Sequence, residues 1–227
     1  MSLSSEIVLT GLRGSHPLGF LGALGVLRNC SEDSTLPQPA RLQWIQKGDW
    51  LPVLSFAESV GLDQIFNTLQ TGLERSASSR LMQWEEDLKI PVLEFRKFAD
   101  DAMHEQEVQL LSFLAALVSD AVPESAHAKG SPSPFYMLSG PQKLFKEMRK
   151  ILQTLLNPDR KLTTREMIEE ATMGPWRYAD EVHTLGWDPS SERLHAYLAK
   201  APGKTNLGVY GAVWLGFEGL PPLPSGS

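Results

Sequence analysis

The chain is 227 residues long, 42% hydrophobic and 21% charged, with a formal net charge of −6. That length allows a real core in one large domain or two small ones, and the acidic balance excludes indiscriminate electrostatic binding to nucleic acid. No apolar run approaches the roughly 20 residues that a membrane helix needs, and the opening Met1-Ser-Leu-Ser-Ser lacks the basic and apolar regions of a secretory signal.

Cys30 is the sole cysteine, which rules out an internal disulfide framework and points to a reducing, cytoplasmic compartment. It ends an apolar helix pattern, where a buried, inert thiol is expected.

In chain order, Ile7-Val-Leu-Thr reads as a short strand and Gly11 to His16 as a turn. Pro17 then suits the first position of a helix capped by Ser15 or His16 and running to about Asn29. Gly19, Gly22 and Gly25 recur every three residues in it. Each weakens an isolated helix by ~1 kcal/mol relative to Ala, so close approach of another backbone is expected to compensate. Arg41 to Gln46 and Trp50 to Phe56 flank Lys47-Gly48-Asp49 as a hairpin, and Pro52 predicts that the second arm is an edge or bulged strand.

Ala57 to Arg75 has helical periodicity through Val60, Ile65, Phe66, Leu69 and Leu73, followed by a polar break from Ser76. Ile90-Pro-Val-Leu reads as a strand, Glu94 to Met103 as a helix, and Glu105 to Val122 as a dense apolar helix at the centre of the core. Pro123 to Pro134 reads as a loop of small residues, Phe135-Tyr-Met-Leu as a strand, and Ser139-Gly-Pro141 as the start of a helix to Leu156. Thr163-Thr-Arg-Glu166 is a capping box for a helix to about Met173. Beyond Pro175 the aromatic, turn-rich texture predicts short strands or irregular structure. Long helices with scattered hairpins and no βαβ alternation give α+β: a predominantly helical single domain over 1–220, with 221–227 a disordered tail or simply an end.

Chemistry is sparse. The histidines show no His-x-x-x-His or Cys-x-x-Cys spacing, and a Walker loop, a dinucleotide fingerprint and a Gly-x-Ser-x-Gly elbow are all absent. No cofactor is expected. Two positive signals remain. The turn Arg13, Gly14, Ser15 and His16 feeds a helix N-terminus, where backbone N–H groups and the dipole favour an anion. A tight structural turn that docks the glycine-faced helix is the competing reading. The second signal is basic: Lys143, Lys146, Arg149, Lys150, Arg160, Lys161 and Arg165 stand against Glu147 and Asp159. Such residues can follow a phosphate backbone, or they are the solvated face of an amphipathic helix.

Gly11-Leu-Arg-Gly-Ser-His-Pro-Leu-Gly-Phe-Leu-Gly-Ala-Leu-Gly-Val-Leu-Arg28 resembles the opening motif of subunits from CRISPR type I-G (formerly I-U) loci. Trp50-Leu-Pro-Val-Leu, Leu185-Gly-Trp-Asp-Pro with Arg193, Gly211-Ala and Gly219-Leu-Pro are similar to later blocks of the same group. The resemblance does not extend to residues 57–134. It implies a non-catalytic subunit or accessory protein of an antiviral ribonucleoprotein, with other CRISPR effector proteins as partners and RNA or DNA as a further one. The chain is shorter than a typical large subunit of that group and net acidic, which favours an accessory role. Two alternatives stay open. One is a metal-dependent hydrolase or nuclease accessory using Asp180, Glu181, His183 and Asp188; the other is a purely structural scaffold.

Overall fold

In a computed structural model, residues 6–84, 90–122, 128–135, 143–190 and 206–224 are described. The fold is α+β, dominated by helices, with strands confined to small antiparallel sheets. The chain divides into two compact units, one of residues 1–77 with 150–219 and the other of residues 78–149 with 220–227. No helix among the described residues is long and apolar enough to cross a membrane.

The first unit begins with β1 (Glu6–Val8), α1 (Pro17–Glu32), β2 (Arg41–Lys47), β3 (Asp49–Ser55) and α2 (Leu62–Ser78). Gly48, at φ +76°, makes the hairpin turn with Lys47 opposite Asp49. The sheet order is β1-β3-β2, so the strand carrying Pro52 is central, contrary to the edge position that its proline predicts. Local geometry explains this. The Pro52 carbonyl accepts from the Leu9 N–H at 3.0 Å, just beyond the last β1 pair, Val8 with Val53. A strand residue's nitrogen and carbonyl point the same way, so the missing N–H faces the end of β1 and takes no bond from the β2 ladder.

α1 continues to Glu32, past the expected Asn29. α2 starts at Leu62 instead of Ala57, where the Gln64 side chain accepts from the Gly61 N–H at 2.8 Å. It also runs through the predicted break at Ser76, because that hydroxyl is buried and donates to Glu218 at 2.5 Å. A tertiary partner outweighs the local preference.

The same unit holds α7 (Thr164–Met173), β6 (Asp180–Glu181), β7 (Leu207–Gly208) and α8 (Tyr210–Glu218). The Thr163/Glu166 capping box forms in both directions, and Gly174 at φ +70° follows the last turn of α7. β6 and β7 are the short strands expected beyond Pro175, whereas the helix α8 is not expected there. Every residue from Gly211 to Glu218 is buried, so the helix is apolar all round and carries no amphipathic period to reveal it. α8 packs along α1 and α7, and its contact with α1 depends on the glycines of both helices: a Cβ on Gly25 would overlap the Leu215 carbonyl, and one on Gly219 the Leu21 carbonyl.

A polar network lies inside that apolar contact. Glu218 is buried and forms an ion pair with Arg28, which also reaches Glu32 at 3.0 Å. Arg75 adds bonds to Glu32 at 2.8 Å and to the Asn29 side-chain carbonyl oxygen at 3.0 Å. Burial raises the Glu32 carboxyl above its ordinary range despite these arginines. Cys30 is also fully buried, and burial, aided by Asp33, pushes its thiol up to about 12.

The second unit contains α3 (Arg80–Gln83), α4 (Val92–His104), α5 (Val108–Leu117), β4 (Val118–Ser119) and β5 (Ser131–Pro132). α6 (Leu144–Leu155) crosses the division between the units. The strand expected at Ile90–Leu93 is instead the entry to α4, with Pro91 as N-cap and the Val92 N–H bonded to the Ala128 carbonyl at 2.7 Å. α5 stops five residues short of the expected Val122, because β-branched Val118 is extended and pairs with Pro132. The strand expected at 135–138 and the helix start at 139–141 fall, apart from Phe135, outside the described residues.

Candidate functional site: the cleft at the start of α1

Pro17 at the first helical position makes His16 the N-cap of α1, and the His16 Nδ1 accepts from the Gly19 N–H at 3.4 Å. An accepting Nδ1 leaves the proton on Nε2. That nitrogen lies 3.1 Å from Asp188 Oδ1 and 3.2 Å from Ser190 Oγ. Asp188 is fully buried and also accepts from the Ser190 N–H at 2.9 Å. Tyr178, in the left-handed region at φ +49°, hydrogen-bonds both Ser190 and Asp188. Burial, then the Asp188 charge, pushes its phenol up to about 12. Trp176 stands edge-on to His16 at 5.4 Å and donates its indole N–H to the Ala171 carbonyl at 2.9 Å.

His16, Trp176, Tyr178 and Ser190 line a cleft of about 420 Å³ together with Thr10, Gly11, Arg13 and the Met173–Pro175 turn, while Asp188 is buried and bonds His16 from outside that lining. The set contains a Ser, a His and an Asp, but not the wiring of a hydrolytic triad. A triad places serine and carboxylate on opposite ring nitrogens; here both meet Nε2, while Nδ1 is committed to the helix. The arrangement is a latch that fixes the imidazole.

The turn itself already holds an anion. The Asp49 carboxylate, from the hairpin, accepts from the Ser15 hydroxyl and the Ser15 backbone N–H, and Arg13 lies 4.0 Å away. The Ser15 hydroxyl bond is foremost in lowering the Asp49 carboxyl below its usual range. Other donors of the turn are also engaged: the Gly14 N–H bonds the Trp50 carbonyl at 2.7 Å, and the His16 N–H bonds the Arg13 carbonyl at 3.0 Å. Of the Arg13, Gly14, Ser15 and His16 group, Ser15 and Arg13 therefore meet the Asp49 carboxylate, while the Gly14 and His16 amides are spent on backbone carbonyls. Arg13, 66% exposed, reaches solvent at the cleft mouth. Asp49 and Asp188 offset its charge.

The basic residues are placed less uniformly. Lys143, Lys146, Lys150 and Lys161 are exposed. Arg149 instead donates to the Met82 and Trp84 carbonyls at 3.1 and 2.9 Å, closing the end of α3. Arg160 pairs with Asp180 at 2.6 Å and lies over the Tyr210 ring. Arg165 pairs with Asp63 and with Glu169 at 2.8 Å.

The carboxylates and histidine weighed for a metal do not converge. Asp180 faces Arg160, His183 Nδ1 accepts from the Leu185 N–H at 3.1 Å, and Asp188 faces His16. Among the described residues no three of His, Cys, Asp or Glu form a metal-holding group.

Sequence reasoning missed Asp49, Ser190 and the Glu218 network. One signal was present for the last: Glu218 is the lone charge of an apolar helix, and Arg28 interrupts the apolar face of another. Compared with protein-family models, with curated proteins and with solved structures, the chain matches none.

Proposed function

We propose that the chain is a non-catalytic subunit or accessory protein of a CRISPR type I antiviral system, working in the cytoplasm and binding effector proteins, with RNA or DNA as a secondary ligand. One observation carries the reading. Several of the blocks on which the type I-G resemblance rests are far apart in sequence yet touch within the first unit, while Leu220 and Pro221 belong to the second and Arg193 lies outside the described residues. His16 of the opening block bonds Asp188 of the Leu185–Pro189 block. Gly14 lies against Trp50 of the hairpin block, and Gly25 and Gly219 interlock α1 with α8. The imidazole latch supports a binding role, because its ring is tied down at both nitrogens.

Co-expression with the proteins of a type I-G locus tests the reading. The expected result is co-elution with at least one effector protein, or with the helicase-nuclease, on size exclusion. Elution alone from all of them would remove it. For nucleic acid, Lys143→Ala/Lys146→Ala/Lys150→Ala should weaken binding and flatten its salt dependence. The log–log slope should fall by roughly 0.7–0.9 for each phosphate that the lysines neutralise. An unchanged slope would confine the reading to protein partners.

A further inference from the structure

Sheets leave a template wherever a long outer strand keeps unpaired N–H and C=O groups, and natural edges are blunted by prolines, charged side chains, bulges, short strands or a covering segment. On β2, among the described residues, only charges, Arg41 and Lys47 at its ends, act in that way. The two edges of the β1-β3-β2 sheet differ. β1 is three residues long; β2 is seven residues long and pairs with β3 without a bulge from Arg41 to Lys47. The proline that would blunt an edge lies in the central strand instead.

Register fixes which groups face outward. Pro52 points toward β1, so its partner Trp44 belongs to a non-hydrogen-bonded pair and turns its own N–H and C=O to the outside. By alternation Leu42 and Gln46 do the same. Among the described residues none of these outward groups has a backbone partner. Apolar surface flanks the edge on both faces. Trp44 stacks on Phe20 at 5.6 Å on one side, with Trp50 49% exposed beside it, and Ile45 is 36% exposed on the other.

The charge of the edge selects the occupant. β2 carries Arg41 and Lys47 at its two ends and no acid. Two copies paired about a two-fold axis in the full-length register, centred on Trp44, would set Arg41 opposite Lys47 at both ends. Like charges directly opposed are destabilising, so self-pairing is disfavoured. An acid at each end of an incoming strand turns both contacts favourable.

We infer that the outer edge of β2 receives an extended segment of a partner protein, acidic at both ends and apolar opposite Trp44, added as a fourth strand. The inference rests on the reading of the chain as a protein-binding subunit and supplies the surface and the partner's chemistry.

The probe is the blocked peptide EVTVTVE, titrated by NMR against the full chain, with KVTVTVK as its control. Shifts should concentrate on residues 41–47 and the Trp44 indole, with the acidic peptide ~5-fold or more tighter. Gln46→Pro removes an outward N–H and leaves the hairpin ladder intact, so it should abolish the shifts. Should that variant misfold, Arg41→Glu/Lys47→Glu decides the matter by reversing the preference toward the lysine peptide. No shifts at β2, equal binding of both peptides, or a preference that survives the charge swap would overturn the inference. Co-elution of Gln46→Pro with an effector protein as strongly as wild type would overturn it too, while leaving the wider reading intact. Peptide binding at β2 without co-elution of any effector protein would keep the edge and remove the CRISPR reading.

Discussion

Gly25 and Leu215 meet backbone to backbone across α1 and α8, with no room between them for a methyl group. The three-residue glycine spacing of α1 thus has the compensation that its poor helix propensity requires. Gly25→Ala should push the helices apart and cost ~1–3 kcal/mol, as overpacking does. Gly61→Ala is the control, since a Cβ there meets only the Gln64 side chain at 3.7 Å. Equal melting temperatures for the two variants would refute the packing account.

Removing either member of the Arg28–Glu218 pair strands a buried charge. Arg28→Met and Glu218→Leu should each destabilise the chain by ~3 kcal/mol or more, and the double substitution by clearly less than their sum. A double-mutant cycle in urea measures this, and simple additivity would count against the pair.

Asp49 sets a pH dependence. Its carboxyl is held below the ordinary range by Ser15 and Arg13, so the folded state binds its proton less readily than the unfolded chain. The stabilisation is present above the ordinary Asp value of about 3.9 and is lost as pH falls through the folded value. Asp49→Asn should therefore lower the melting temperature at neutral pH, with the gap narrowing below about pH 4. A gap independent of pH would show that the carboxylate's charge is not what the turn needs.

Cys30 should be inert in the folded protein, because its thiol is fully buried and pushed up to about 12. Disulfide reagents at neutral pH should label it no faster than the chain unfolds, a limit that shifts with urea. Rapid labelling in native buffer would contradict the burial.

Wherever one side of an element is polar, its pattern was readable. α2 and α6 carry apolar arcs, the hairpin alternates about Gly48, and Thr163/Glu166 form the cap that their spacing announces. What escaped reading depends on partners remote in sequence. α8 has no polar face, so periodicity is silent there. Ser76 breaks a helix in isolation and is held in one here, because its hydroxyl donates a hydrogen bond to Glu218. At Gly11–Pro17 local chemistry leaves an anion site and a structural turn both open; that Asp49, 34 residues beyond Ser15, pairs with this turn is a property of the fold alone. Pro52 shows the same limit. A proline's cost in a sheet depends on which neighbour its nitrogen faces, and that is a property of register.

The His16 ring joins two segments 172 residues apart in sequence, capping α1 through one nitrogen and holding Asp188 through the other. Neither segment can fray alone without breaking the other's bond. The Gly19 amide, held by the ring, and the Ser190 amide, held by Asp188, then belong to one cooperative opening unit. In native-state hydrogen exchange they should share a single opening free energy, and His16→Asn should uncouple them. A shared opening would make the first turn of α1 and the 182–190 segment one mechanical part, tied through a single ring.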